Sequence, residues 1–233
     1  ALVHGHRAVI ADVSHQLRTP LAALRLRLDV LAAGADGDTA AELAAAQVEI
    51  ARLSRLVDGL LAVARAEQTT PRRVAVRVDE VVEERVSAWS PVAEERGVRL
   101  TADAGPVLTA ALGGGHLEQV LDNLVANALD AVPEGGGVTV GRRLTGRWAE
   151  VRVRDDGPGM GAQAKEVAFH RFGNPEARGA GLGLAIVHRL VTVNGGTVRL
   201  TDTPGGGLTV VLELPLWTET SAGPRSLPDL KKT

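Results

Sequence analysis

Apolar residues recur along the first part of the chain at helical spacing. Val13, Leu17, Leu21, Leu24, Leu28 and Leu31 follow one another at intervals of four, four, three, four and three, which puts them on one stripe of a helix. Gly34 to Asp38 reads as a turn, and Thr39 with Glu42 forms the Thr-x-x-Glu capping box that opens a second helix. Leu43, Ala46, Ile50, Leu53, Val57, Leu60 and Ala64 then alternate intervals of three and four, the seam of a coiled coil. The pattern predicts an antiparallel helical hairpin over residues 1–67. One hairpin leaves its stripes thinly covered, so two copies are expected to associate into a four-helix bundle as a homodimer. The alternative is that the stripe packs on the chain's own second domain.

From Thr69 the pattern changes. Residues 68–72, with Thr69, Thr70 and Pro71, read as a linker, and a domain over 73–217 follows in which short β-rich runs alternate with helices. Val74 to Val78 and Val98 to Thr101 read as strands around a helix from Asp79 to Arg96. His116 to Val132 is helical, with Leu117, Val120, Leu121, Leu124 and Leu129 as its apolar positions. Val138 to Leu144 and Trp148 to Arg154 alternate as strands across Thr145-Gly146-Arg147. Gly181 to Val193 is helical, and Thr197 to Leu200 with Leu208 to Leu214 closes as a hairpin over Gly205-Gly206-Gly207. The fold class is α+β: a helical hairpin followed by a two-layer α/β sandwich. The Pro-, Ser- and Lys-rich residues 218–233 read as a disordered tail.

Composition narrows the functional classes. Hydrophobic residues are 45% and charged residues 23% of 233, so the chain can bury a core. Aromatics are 2% and the net charge is -2, which speaks against a nucleic-acid partner that needs stacking side chains and a basic face. The absence of cysteine removes thiol nucleophiles and zinc-cysteine sites. No run of 18 apolar residues is free of charge, so no membrane span is expected. Ala1 in place of Met, with no signal-peptide pattern after it, is what an excised fragment would show.

Four segments carry candidate chemistry. His15, in Ser14-His15-Gln16-Leu17-Arg18-Thr19-Pro20-Leu21, lies at about 200° on a helix whose apolar stripe spans roughly 0 to 80°, so its ring faces water. Thr19 shares that face, and Pro20 bends the helix beside it. Asn123 and Asn127 are four apart on one helix, and their amide oxygens suit Mg²⁺. Asp155-Asp156-Gly157-Pro158-Gly159 follows a strand and joins a carboxylate to glycines that admit close approach; a plain Asp-Gly turn is the alternative. Gly179-Ala180-Gly181-Leu182-Gly183-Leu184 opens a helix and presents backbone N–H groups to phosphate.

In this order the segments resemble the boxes of bacterial sensor histidine kinases, the two-component family, over roughly residues 7 to 216. Ser14 to Leu21 is similar to the H box, Leu121 to Ala128 to the N box, and Asp155 to Gly159 to the first glycine box. Phe169-His170-Arg171-Phe172 is similar to the box of the ATP lid, and Gly179 to Leu184 to the last glycine box. The resemblance implies a dimerisation and phosphotransfer hairpin, then an ATP-binding domain of the gyrase and histidine kinase type. It implies His15 as phosphoacceptor, Asp155 as acceptor for the adenine amino group, Asn127 with Asn123 as Mg²⁺ ligands, and Gly157 and Gly159 beside the base. Gly179, Gly181, Leu182 and Gly183 would form the closing lid, with Arg171 and Arg178 on the phosphates. Implied cofactors are ATP and Mg²⁺. Implied partners are a second copy and a response regulator whose Asp takes the phosphoryl group, on the cytoplasmic side of a membrane reached only through a sensor region outside this chain.

The chain departs from that pattern at four places. Gln16 replaces a carboxylate beside the phosphoacceptor and cannot take up a proton, so autophosphorylation is expected to be slow; a phosphatase-dominant enzyme or weakly active scaffold is the alternative. Thr19 would orient water for regulator dephosphorylation. Asp130 stands where relatives are often basic, as in gyrase-type ATPases, although no Glu occupies position 123 to serve as their base. Gly113-Gly114-Gly115 stands where many relatives carry Asp, and Asn194 replaces a common His.

Overall fold

The second half of the chain builds a sheet whose strands alternate buried and solvent-facing residues, with helices laid over the buried side. The structure is a computed structural model, and it describes residues 72–169 and 183–218 with scattered positions between 23 and 50. In chain order the elements are β1 (Arg73–Arg77), α1 (Val78–Glu95), β2 (Arg99–Ala102), β3 (Thr109–Gly113), α2 (His116–Ala131), β4 (Gly137–Thr145) and β5 (Trp148–Asp155). They continue with α3 (Ala162–Val167), α4 (Gly183–Val193), β6 (Thr197–Asp202) and β7 (Leu208–Pro215). The chain divides into two compact units, Ala1–Thr70 with Met160–Leu190 and Pro71–Gly159 with Val191–Thr233.

In the first unit the described positions run helix, turn, helix. Ala23 to Ala32 are helical wherever described, Gly34 turns, and Thr39, Glu42, Leu43, Ala46, Gln47 and Ile50 are helical. Gly37 is already helical, at a φ of 58°, so Thr39 lies inside the second helix instead of capping it. Only glycine enters that left-handed region without a steric penalty. Leu24, Leu26, Val30 and Leu31 remain 46% to 67% exposed, whereas Ile50 is buried. The rest of the seam, Leu53 to Ala64, lies outside the described residues, as do Val13, Leu17, Leu21 and residues 219–233 of the expected tail. Phe169, which follows α3, stacks on His188 of α4 with ring centroids 5.1 Å apart.

In the second unit a five-stranded sheet has the order β2-β4-β5-β7-β6, with β2 and β4 parallel and the other pairs antiparallel. Strand periodicity of two puts Val138 and Val140, then Ala149, Val151 and Val153, then Val210, Leu212 and Leu214 on one face, all buried. Helices α1 and α2 lie against that sheet and against each other. The buried stripe of α2 contains the five predicted residues together with Val125, Ala126 and Ala128. Trp89 Nε1 of α1 donates 2.8 Å to Asp122 of α2, and Arg96 pairs with Asp130 at 2.7 Å. The acidic residue at position 130 thus has a structural partner at the end of α1.

The other face of the sheet is polar. Glu150 is 1% exposed, yet its carboxylate receives Arg143 at 2.7 Å and Arg152, with Arg199 3.7 Å away. Burial alone would push this carboxyl up; the Arg143 and Arg152 guanidiniums together hold it below the usual range. Two elements escape the sequence pattern. Strand β3 pairs with β1 in a separate two-stranded sheet, and α3 is a helix of six residues after the Asp155 loop. The strand is tied in further by a bridge from Ala110 to Leu216 and by Trp217 N–H on Thr109.

Candidate functional site

Asp155 ends β5, paired with Val138 of β4 and directly after Arg154, the last residue of the strand paired with β7. Its side chain is buried at 6% exposure. One carboxylate oxygen, Oδ1, accepts the Gly157 N–H at 2.9 Å and the Leu208 N–H at 3.1 Å. Burial pushes the carboxyl above its ordinary value; the two N–H bonds oppose that shift, and Asp156 next to it adds to it. With Oδ1 doubly occupied, Oδ2 is left to accept from a ligand N–H.

The glycines around Asp155 are required by space. At Gly159, with φ of 76°, an added Cβ would lie 3.1 Å from the Gly207 carbonyl oxygen. At Gly207, with φ of 99°, it would collide with the Asp155 carbonyl. At Gly157 it would meet Asp155 Oδ1 at 3.0 Å and the Ala131 carbonyl at 3.2 Å. The end of β5, the turn between β6 and β7 and the C-terminal end of α2 therefore converge on one loop. Thr203 and Thr209, both buried, share a 2.8 Å hydroxyl contact that closes the neighbouring turn.

Helix α2 carries the two asparagines. Asn123 is half-buried and commits its Nδ2 to the Gln119 carbonyl at 2.8 Å, which leaves its oxygen for a cation. Asn127 is exposed, one turn before the end of the helix that abuts Gly157. Two neutral oxygen donors fit a magnesium ion that takes its remaining ligands from phosphates and water, and among the described residues no group of three or more acidic or histidine side chains forms a metal cage.

Sequence reasoning misses part of this arrangement. The Leu208 amide, Gly207 and the threonine pair reach Asp155 only through the long-range pairing of β5 with β7. Another link joins Asn194, just after α4, to Gly113 at 2.7 Å and to His116 at 2.8 Å. Gly183 is the first residue of α4. His15, Gln16, Thr19, Arg171, Arg178, Gly179, Gly181 and Leu182 lie outside the described residues.

Comparison with known proteins follows the same division of the chain. Residues 6–69 match the His Kinase A (phospho-acceptor) domain, and residues 114–218 match the Histidine kinase-, DNA gyrase B-, and HSP90-like ATPase family. The chain is 36% identical over 220 residues to the Sensor-like histidine kinase SenX3 of Mycolicibacterium smegmatis, covering 90% of this chain and 57% of that protein. It is 28% identical over 218 residues to the Signal transduction histidine-protein kinase BaeS of Escherichia coli, covering 90% and 47%. Among solved structures, full-length ShkA in complex with AMPPNP superposes with a TM-score of 0.69 at 28% identity, covering 91% of this chain and 46% of that one. The chain spans about half the length of these relatives.

Proposed function

The chain belongs to the sensor histidine kinases, and on that premise we propose that it binds Mg-ATP in its second half, moves the γ-phosphoryl group to His15, and passes it to an aspartate of a response regulator. In the first step a His15 ring nitrogen forms a bond to the γ-phosphorus while the bond from that phosphorus to the β–γ bridging oxygen breaks. ADP leaves with the electron pair and the ring proton goes to solvent, since Gln16 cannot accept it. Bound magnesium supplies charge neutralisation on the phosphates. Asn127 and Asn123 would hold it, while Asp155 orients the base through Oδ2.

The observation that carries this reading is the Asp155 carboxylate, buried, with one oxygen filled by Gly157 and Leu208. A buried carboxylate with a single open oxygen selects a ligand that presents an N–H donor. The coiled-coil seam and the exposed Leu24 and Leu31 of the apolar stripe support a homodimer in which these side chains are covered. The kinase reading also divides the chain as hairpin 1–67, linker 68–72 and ATP-binding domain 73–217. It places the chain on the cytoplasmic side of a membrane; among the described residues no helix is long and apolar enough to cross one. The relatives' names lend no support to a phosphatase-dominant or scaffold role.

Incubation with γ-labelled ATP tests the proposal. Acid-labile, base-stable label on the protein, lost in His15→Gln, is the expected result. Release of free phosphate without labelled protein would instead identify an ATPase.

A further inference from the structure

Gly113-Gly114-Gly115 joins β3 to α2, and none of these residues has a side chain to anchor the connection. Gly115 takes φ of 77° and begins the helix with no side-chain cap. Three successive glycines give the entry to α2 the greatest backbone freedom available to a chain, yet this helix presents Asn123 and Asn127. The restraint comes from Asn194, 81 residues beyond Gly113 and 1% exposed. Its Oδ1 accepts the Gly113 N–H at 2.7 Å, and its Nδ2 lies 2.8 Å from Nδ1 of His116, the first residue of α2. Gly113 and Asn194 are two of the positions at which the chain departs from the histidine kinase pattern, and the two departures touch each other.

The chemistry of this contact has one solution. The Gly113 amide can only donate, so it fixes the Asn194 oxygen towards itself and turns the amide nitrogen, also a donor, towards the ring. Nδ1 of His116 must then accept, which requires a neutral ring with its proton on Nε2. A protonated ring would set two donors face to face and add a cation at the positive end of the α2 dipole. The surrounding charges divide. Glu118 on α2 favours the cation. Arg73 of β1 is the nearby cation on the other strand: the residue pairs with Gly113, and its guanidinium lies 3.0 Å from where a Cβ on Gly195 would stand. Burial pushes the ring's pKa below its ordinary value; the Asn194 amide would raise it only by turning its oxygen to Nδ1, and the Gly113 N–H holds that oxygen away.

We propose that Asn194 is a positioning residue for the nucleotide site: it ties the last amide of β3 to the first residue of α2, sets the placement of Asn123 and Asn127, and does so only while His116 is neutral. This rests on the nucleotide reading above. Asn127 is about 16 Å along the helix from His116, so a tilt of about 10° at the glycine entry displaces it by about 3 Å. Such a shift is ample to lose a ligand contact.

The test uses the intact chain, with Mg-ATP affinity from calorimetry and the His116 ring nitrogens from NMR, between about pH 5 and 8. The wild-type ring should be in the Nε2–H form at neutral pH, and affinity should fall about 5- to 10-fold as it protonates. Asn194→Asp keeps the acceptor for Gly113 but faces the ring with a second acceptor. It should raise the pKa of His116 and reverse the pH dependence, recovering affinity in acid. Asn194→Ala should bind more weakly throughout and lose the dependence. An Asn194→Asp variant with a wild-type ring titration and a wild-type affinity profile overturns the proposal, as does an Nδ1–H ring in the wild type. Failure of the wild type to bind ATP at any pH overturns the nucleotide reading and the positioning role with it. The ring measurements need no nucleotide, so they separate that failure from an error in the Asn194 contact itself.

Discussion

Asp79 and Asp155 are both buried carboxylates, and their surroundings drive them in opposite directions. Arg77 donates to Asp79 at 2.6 and 3.1 Å, the main cause that lowers its pKa to about 2 from 3.8, against the cost of burial. The folded state therefore releases this proton more readily than the unfolded chain does. The stability so gained is complete above pH 3.8 and is lost as pH falls towards about 2. Asp79→Asn should lower neutral-pH stability by roughly 2 kcal/mol and flatten the acid limb of denaturant-unfolding curves. For Asp155 the sign is reversed. Its folded value is raised, so stability is full below 3.8 and declines as pH rises through the folded value. Asp155→Asn should therefore keep or raise the melting temperature while weakening ATP binding about 10- to 100-fold, the range of a charge-assisted hydrogen bond. A carboxylate that costs stability and supports binding is marked as functional by that opposition, and parallel calorimetry and thermal melts read both signs.

Helix α2 is the element on which fold and chemistry meet. Its stripe from Leu117 to Leu129 is buried against the sheet, and Asn127 is exposed between buried Ala126 and Ala128. Asn127→Ala changes an exposed position, so it should leave the melting temperature within about 1 °C. It should weaken Mg-ATP binding by about tenfold, with ATP in excess chelator affected much less. Equal losses with and without magnesium would place the ion elsewhere. The helix is legible in the sequence because its period is long and regular, and β4, β5, β6 and β7 are legible because their alternation brackets Gly-rich turns. Strand β3 is not. It lies in Pro106-Val107-Leu108-Thr109-Ala110-Ala111-Leu112, a short apolar run without alternation, and its partner β1 lies 36 residues earlier. The site divides the same way. Asp155, Gly157 and Gly159 stand in a local motif, whereas Gly207, the Leu208 amide and the Asn194 link exist only once distant strands have met.

At the scale of the whole molecule, the proposed homodimer would form on apolar residues left at the surface of the first unit. Leu24 and Leu31, seven residues apart on the apolar stripe, are exposed, and the sequence that follows from Leu43 to Ala64 carries a heptad seam. Leu53→Lys combined with Leu60→Lys should convert a dimer to a monomer in light scattering, and a dimer that survives the pair would place the interface elsewhere. The sheet of the second unit carries a different consequence, for the order in which the protein is made. Strand β7, the last to be synthesised, is not at an edge but is inserted between β5 and β6. Until it emerges from the ribosome, β5 and β6 have no common neighbour, Asp155 lacks its Leu208 amide, and the apolar face of β5 has an open flank. The helices described between residues 23 and 50 can form early from local contacts alone, but the surroundings of Asp155 cannot. On the proposed function, a nascent chain would carry His15 well before it could bind the phosphate donor, and kinase competence would arrive as a single late event.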